Sequence, residues 1–125
     1  MGTIGVEDAI SYLRSQLELE EREVFCVLFL DNKNRVIEFK KMFYGSIRSV
    51  EVHPREIIKV VLALNARAII VAHNHPSGNA EPSNSDHVLT NKLFNLLKIM
   101  DVDFVDHIII GHNEYFSFFE YGFLN

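Results

Sequence analysis

A chain of 125 residues, 48% hydrophobic and 23% charged, suffices for one domain burying about two-thirds of its unfolded surface and argues against two independent domains. Ten Phe and four Tyr against six Gly and three Pro exclude a disordered, collagenous or low-complexity chain. The single cysteine, Cys26, rules out an internal disulfide or a Cys-rich zinc ribbon, and a net charge of −5 repels phosphate backbones.

At the start of the chain, Met1-Gly2-Thr3-Ile4-Gly5 lacks the basic and apolar regions of a secretory signal. No apolar run further on reaches the roughly 18 residues of a membrane-spanning helix. With an unpaired cysteine, these features predict a cytoplasmic protein that makes no use of a membrane, and the acidic balance disfavours nucleic acid as a partner for this domain alone.

Val6, Ile10, Leu13 and Leu17 recur at helical spacing and predict an amphipathic helix over residues 5–19, closed by the charged stretch 18–23. Val24–Leu30 is almost wholly apolar, as a strand covered on both faces would be. Asp31-Asn32-Lys33-Asn34 is a turn cluster, and Val36–Tyr44 returns as a second strand, so the pair forms a hairpin. Gly45-Ser46 breaks it, and residues 50–52 form a short extended piece. Pro54 then opens a helix that turns Ile57, Ile58, Val61, Leu62 and Leu64 inward.

Residues 68–72 read as a short buried strand running into His73-Asn74-His75-Pro76-Ser77-Gly78, where Pro and Gly impose a loop. A helix resumes near Ser83, with Leu89, Leu93, Leu96, Leu97 and Met100 as its inner stripe. Residues 106–110, a turn over 111–114 and residues 115–119 supply a last hairpin. The order αββαβαββ, with two hairpins and helical crossovers, predicts a mixed α/β (α+β) fold: one domain over residues 1–125 with a single mixed sheet flanked by helices.

His73 and His75 stand one residue apart at the end of an apolar strand, so on an extended backbone both imidazoles project to one side. Asp86 falls on the first turn of the next helix, which a loop rich in Pro and Gly folds back toward the strand end. Two neutral imidazoles and one carboxylate suit zinc, with water as the fourth, open ligand, which is the arrangement of a catalytic site. Six His in the chain produce about 0.3 His-x-His pairs by chance; requiring the aspartate as well lowers this to about 0.01. The motif is therefore specific only as a whole.

A zinc hydrolase also needs a group to move the proton of the attacking water. Glu18, Glu20, Glu21 and Glu23 precede the first strand, and of these only Glu23 abuts the apolar run, where the backbone is held most firmly. Ser83 has a hydroxyl to offer the oxyanion that develops on an attacked carbonyl.

Glu23, His73-x-His75-Pro76, six residues, and Ser83-x-x-Asp86 together resemble the metal-binding JAMM motif of JAB/MPN domains, some of which are zinc deubiquitinating isopeptidases. Val52-His53-Pro54-Arg55-Glu56, Asn65-Ala66, Ala72 through Gly78, Pro82-Ser83-x-x-Asp86, Thr90 and Asp106-His107-Ile108-Ile109 resemble the bacterial RadC branch over nearly the whole chain. In that branch Asn74 stands where eukaryotic relatives usually carry Ser or Thr. The resemblance implies a JAB/MPN-like (cytidine-deaminase-like) sheet wrapped by helices and a zinc ion on His73, His75 and Asp86. It further implies Glu23 as general base and acid, Ser83 at the oxyanion, and water on the metal attacking an amide or isopeptide bond of a peptide or protein substrate. RadC proteins usually carry an N-terminal helix-hairpin-helix region as well. None is visible here, so the chain is expected to be the C-terminal domain of a longer protein, with a homodimer as one assembly open to it.

Plainer readings stand beside these. Ser83-x-x-Asp86 is also a capping-box variant. His53, His87, His107 and His112 are read as structural or solvent-facing ahead of groups that support the site or bind substrate, and Asp106 and His107 as a satisfied, half-buried pair ahead of a catalytic dyad. Cys26, inside an apolar strand, is a small hydrophobe and not a nucleophile. The aromatic run 115–119 is assigned to core packing ahead of a partner surface. Two rival functions remain: a non-catalytic MPN interaction module that keeps the metal as a structural element, and a DNA-repair-associated role on or near DNA, which the acidic balance opposes.

Overall fold

The computed structural model describes residues 6–45 and 52–124. The elements follow in the expected order: α1 (Val6–Leu17), β1 (Val24–Leu30), β2 (Val36–Tyr44), α2 (Pro54–Leu64), β3 (Ala68–Asn74), α3 (Asn84–Ile99), β4 (Asp103–Ile110) and β5 (Tyr115–Ser117). The expected helix start at residue 5, the inward role of Val6, the break at Ser46 and the extended piece at residues 50–52 fall wholly or partly outside the described residues.

The strands form one five-stranded sheet in the order β2-β1-β3-β4-β5. β1 pairs antiparallel with both β2 and β3, β3 pairs parallel with β4, and β5 closes the far edge antiparallel to β4. The sheet is therefore mixed, as the alternation of hairpins and one helical crossover requires. Asp31 starts the β1–β2 turn by accepting hydrogen bonds from the backbone N–H of Lys33 and Arg35, and Asn34 takes the left-handed conformation the turn needs (φ 58°).

Alternation along β1 and β3 supplies two separate cores. Val24, Cys26, Leu28 and Leu30, with Ala68, Ile70 and Ala72, face Ala9, Leu13 and Leu17 of α1. Phe25, Val27 and Phe29, with Ile69 and Val71, face Ile57 and Val61 of α2 and Leu89, Leu93 and Leu97 of α3. Both strands are buried along their full length, which explains why neither shows a polar face in the sequence. The small Ala68 and Ala72 sit beneath α1, where a larger side chain would hold the helix off the sheet.

Several element details differ from the sequence expectation. β3 runs on through His73 and Asn74 and does not end at residue 72, because its pairing with β4 continues to Asn74–Ile110. α1 ends at Leu17, because Glu18 and Leu19 form a turn. In α2 only Ile57 and Val61 are fully buried, while Leu62 is 66% exposed, since a position next to Val61 is rotated by a quarter turn or more out of the buried stripe. β4 starts at Asp103 and not at residue 106, because parallel pairing with β3 already begins at Ala68–Asp103. β5 stops at Ser117, where the Asp106 carboxylate accepts from the Ser117 hydroxyl at 2.5 Å and from the Phe119 N–H at 3.0 Å and bends the chain into a turn. As a result the aromatic run divides: Phe118 is buried whereas Phe119 is exposed.

At one end of the sheet the loop after β3 rests on the β4–β5 turn. His112 donates its backbone N–H to the Gly78 carbonyl at 2.8 Å, and Ala80 donates to the Glu114 carboxylate at 3.0 Å. Gly111 is indispensable to this contact, because a Cβ there would run into the Gly78 carbonyl oxygen and lie 3.0 Å from Ala80 N. Gly111→Ala is expected to destabilise the domain by about 1–3 kcal/mol, measured by urea denaturation. A value indistinguishable from wild type would show that the two turns can separate at no cost.

Candidate metal centre

β3 carries His73 toward the α3 face of the sheet, continuing the side of Ile69 and Val71. The residue is fully buried and its ring stacks over Phe25, centroids 6.1 Å apart. His75 follows just after the strand, held by its N–H donating to the Ile110 carbonyl at 2.9 Å. Its Nδ1 lies 2.9 Å from the Asn79 carbonyl oxygen. A carbonyl can only accept, so Nδ1 carries the proton and Nε2 is the bare nitrogen of the neutral ring. The two Nε2 atoms are 3.1 Å apart, so the imidazoles do project to the same side.

Asp86 enters from α3. Ser83 is the helix N-cap: its hydroxyl oxygen accepts from the Asp86 N–H at 3.1 Å, while the Asp86 Oδ2 accepts from the Ser83 N–H at 2.8 Å. This reciprocal capping box fixes the carboxylate rotamer. It also aims the group, with Oδ1 3.2 Å from His73 Nε2 and Oδ2 3.2 Å from His75 Nε2. The capping-box reading of Ser83-x-x-Asp86 is thus correct, and the same box sets the Asp86 carboxylate beside the two histidines. One ligand atom from each of His73, His75 and Asp86 lies within 4.8 Å of the others, and among the described residues this is the group able to hold a metal ion.

The electrostatics follow from the crowding. Burial opposes the charge on Asp86, but its close contacts with the two histidines and the hydrogen bond from the Ser83 N–H outweigh it, holding the carboxyl well below the usual carboxylate range. Burial likewise opposes a proton on His75; its contacts with Asp86 and the Asn79 carbonyl, with the charges of Asp86 and Glu23, outweigh it and raise its pKa. The site therefore attracts positive charge.

Glu23, half-buried at the start of β1, is near enough for its charge to act on His75. The other glutamates of that stretch are engaged elsewhere or exposed: Glu18 pairs with Arg14 at 3.6 Å, Glu20 with Lys41 at 3.8 Å, and Glu21 faces solvent. Asn74, between the two histidines, points to the opposite side of β3 and grips the Glu23 segment from both ends. Its Oδ1 accepts from the Val24 N–H at 2.7 Å, and its Nδ2 donates to the carbonyls of Arg22 at 3.0 Å and Glu20 at 3.3 Å.

The sequence reading gave Thr90 no role and preferred a structural role for His107 to one beside the site. His107 is fully buried, not half-buried. Asp106 accepts its backbone N–H at 2.7 Å, while the ring stacks on Phe118 and reaches His73, with Nε2 3.0 Å from His73 Nδ1. Its Nδ1 lies 2.6 Å from Thr90 Oγ1. Burial and the neighbouring His73 push its pKa well below the ordinary histidine value. The other histidines behave as expected: His53 and His112 are exposed and His87 packs between Phe118 and Phe123. Cys26 is buried, and burial pushes its thiol pKa far up, as an unreactive core residue requires.

Fold and site together define a JAB-type domain. The chain belongs to the RadC-like JAB domain family, whose model matches residues 4–123. Similar curated proteins include a UPF0758 protein of Haemophilus ducreyi, 59% identical over 115 residues. UPF0758 proteins of Actinobacillus pleuropneumoniae serotypes 5b and 3 are each 56% identical over 115 residues. These stretches cover 92% of this chain and 52% of each relative, so the chain spans about half the length of the curated relatives it matches. No helix among the described residues is long and apolar enough to cross a membrane.

The Asn74 contacts predict that Asn74→Ala leaves the buried Val24 N–H without its acceptor, a loss of about 1–3 kcal/mol. Hydrogen exchange at the Val24 amide should accelerate while amides of the α2 and α3 faces exchange as before; unchanged exchange at Val24 would remove the clamp.

Proposed function

We propose that this domain is a zinc-dependent hydrolase of an amide or isopeptide bond in a peptide or protein substrate. The observation that carries the reading is the convergence of two imidazole nitrogens and a carboxylate, 3.1–3.2 Å apart at their nearest atoms, behind a capping box. The nitrogen and oxygen donor set suits zinc, and three protein ligands leave a position for water. When bound, zinc supplies a water acidified to a pKa of about 7 and a Lewis acid for the scissile carbonyl.

His73, His75 and Asp86 hold the ion in this reading. Glu23 takes the proton of the attacking water and returns it to the leaving amine, a task open to a carboxylate beside the centre and outside the ligand set. Accepting the Asp86 N–H through a lone pair leaves the Ser83 O–H proton to donate to the carbonyl oxygen as it gains negative charge. The buried free thiol of Cys26 suits a reducing, cytoplasmic setting, and the net charge of −5 favours a polypeptide over nucleic acid as the substrate.

Metal analysis of the purified chain is expected to find close to one zinc per molecule, against close to none in a His73→Ala/His75→Ala double variant; equal contents in the two would overturn the reading. Glu23→Gln should keep the ion and lower turnover of a peptide and isopeptide library by about 100-fold or more. Ser83→Ala should lose about 100- to 1,000-fold in rate together with about 1 kcal/mol of stability from the missing cap. Full activity in Glu23→Gln would assign the proton transfer to another group.

A further inference from the structure

Behind His73 runs a buried line of polar atoms with a defined direction. Thr90 Oγ1 lies 2.8 Å from the main-chain carbonyl oxygen of Asp86 and 2.6 Å from His107 Nδ1, and His107 Nε2 lies 3.0 Å from His73 Nδ1. The carbonyl oxygen has no proton, so the single proton of the Thr90 hydroxyl is donated to it. Oγ1 then has only lone pairs to offer His107, whose Nδ1 must be the donor. A neutral imidazole has one N–H, so His107 Nε2 accepts, and the group that donates to it is His73 Nδ1. His73 is thereby left with a bare Nε2, the atom that faces Asp86 and His75.

His107 stays neutral in this place because Phe25 and Phe118 enclose its ring and its two ring nitrogens meet uncharged partners, Thr90 and His73. The line also closes on itself: it begins at the main chain of Asp86 and ends at His73, whose Nε2 meets the same residue's carboxylate at 3.2 Å. We propose that Thr90 and His107 are positioning residues of the metal centre, holding His73 in its Nδ1–H form so that Nε2 is presented to a divalent cation. This rests on the zinc reading for its use, but the proton arrangement can be tested without it.

Nitrogen-15 NMR of the metal-free chain near pH 8, where neutral imidazole prevails, should find the His73 proton on Nδ1. In Thr90→Val, which keeps the shape and loses the hydroxyl, the His73 signals should become those of a mixture of tautomers. Zinc affinity, measured by competition with a chromophoric chelator, should fall by about 10- to 100-fold in Thr90→Val and in His107→Phe, and Thr90→Ser should restore it. A His73 proton on Nε2 in the wild type would overturn the proposal, as would wild-type zinc affinity in a folded Thr90→Val. If the wild type binds no zinc while His73 carries its proton on Nδ1, the positioning stands and the metal reading fails. If zinc binds and is lost in His73→Ala/His75→Ala but is unmoved in Thr90→Val, the positioning alone fails.

Discussion

Consecutive residues of an extended strand face opposite ways, and at the end of β3 this one constraint divides the labour of the site. His73 turns to the α3 side, where Asp86 meets it at 3.2 Å. Asn74 turns to the α1 side, where its amide holds the backbone on both sides of Glu23. His75, just past the strand, returns to the first side. A shift of the β1–β3 register by one residue would exchange these roles, sending an amide toward Asp86 and an imidazole toward the Glu23 segment. The register is secured by full burial of both strands, since a one-residue slip would also exchange the two apolar cores.

The site costs the fold something. Acceptors gathered at 3.1–3.2 Å with no hydrogen between them repel, and their burial removes the water that would otherwise solvate them. Structure on every side absorbs the cost. The capping box spends the Asp86 carboxylate once as a helix cap before it faces the histidines, so its position is favoured by the N-terminal helix dipole even in an empty centre. The His75 loop is tied down by the β4–β5 turn through contacts that only glycine at position 111 permits. The raised pKa of His75 and the lowered one of Asp86 express one pairing: a carboxylate that stays charged favours positive charge on the imidazole beside it.

Much of this was legible in the sequence because it rests on local patterns. The order of elements followed from hydrophobic periodicity and turn residues, and the His-x-His pair with Asp86 followed from strand alternation and the helix start. What was not legible depends on register across the α3 crossover. His107 faces His73 because Val71 pairs with it and Ile109 pairs with His73, and no local pattern states which residue of β4 will lie beside which residue of β3. Viewed alone, Asp106-His107 reads as a self-sufficient pair, and Thr90 as one more small residue on a helix. Leu62 and the start of β4 were misread for a related reason: burial at an element's flank is set by what packs there, which periodicity does not specify.

The neutral character of the support behind His73 bears on the chemistry. Metal-bound histidines commonly donate to a carboxylate or a carbonyl, and a carboxylate there would add a second negative charge to the buried centre beside that of Asp86. His107 accepts the same hydrogen bond without charge, and Asp106, the carboxylate nearest along the chain, is turned away into hydrogen bonds with Ser117 and Phe119. On the proposed reading, a divalent ion on His73, His75 and Asp86 would therefore keep a net positive charge. Such a residual charge would lower the pKa of a bound water and stabilise an oxyanion. Protons and metal ions thus compete for one electrostatic deficit, and the neutral second layer leaves the stronger part of that deficit to the ion.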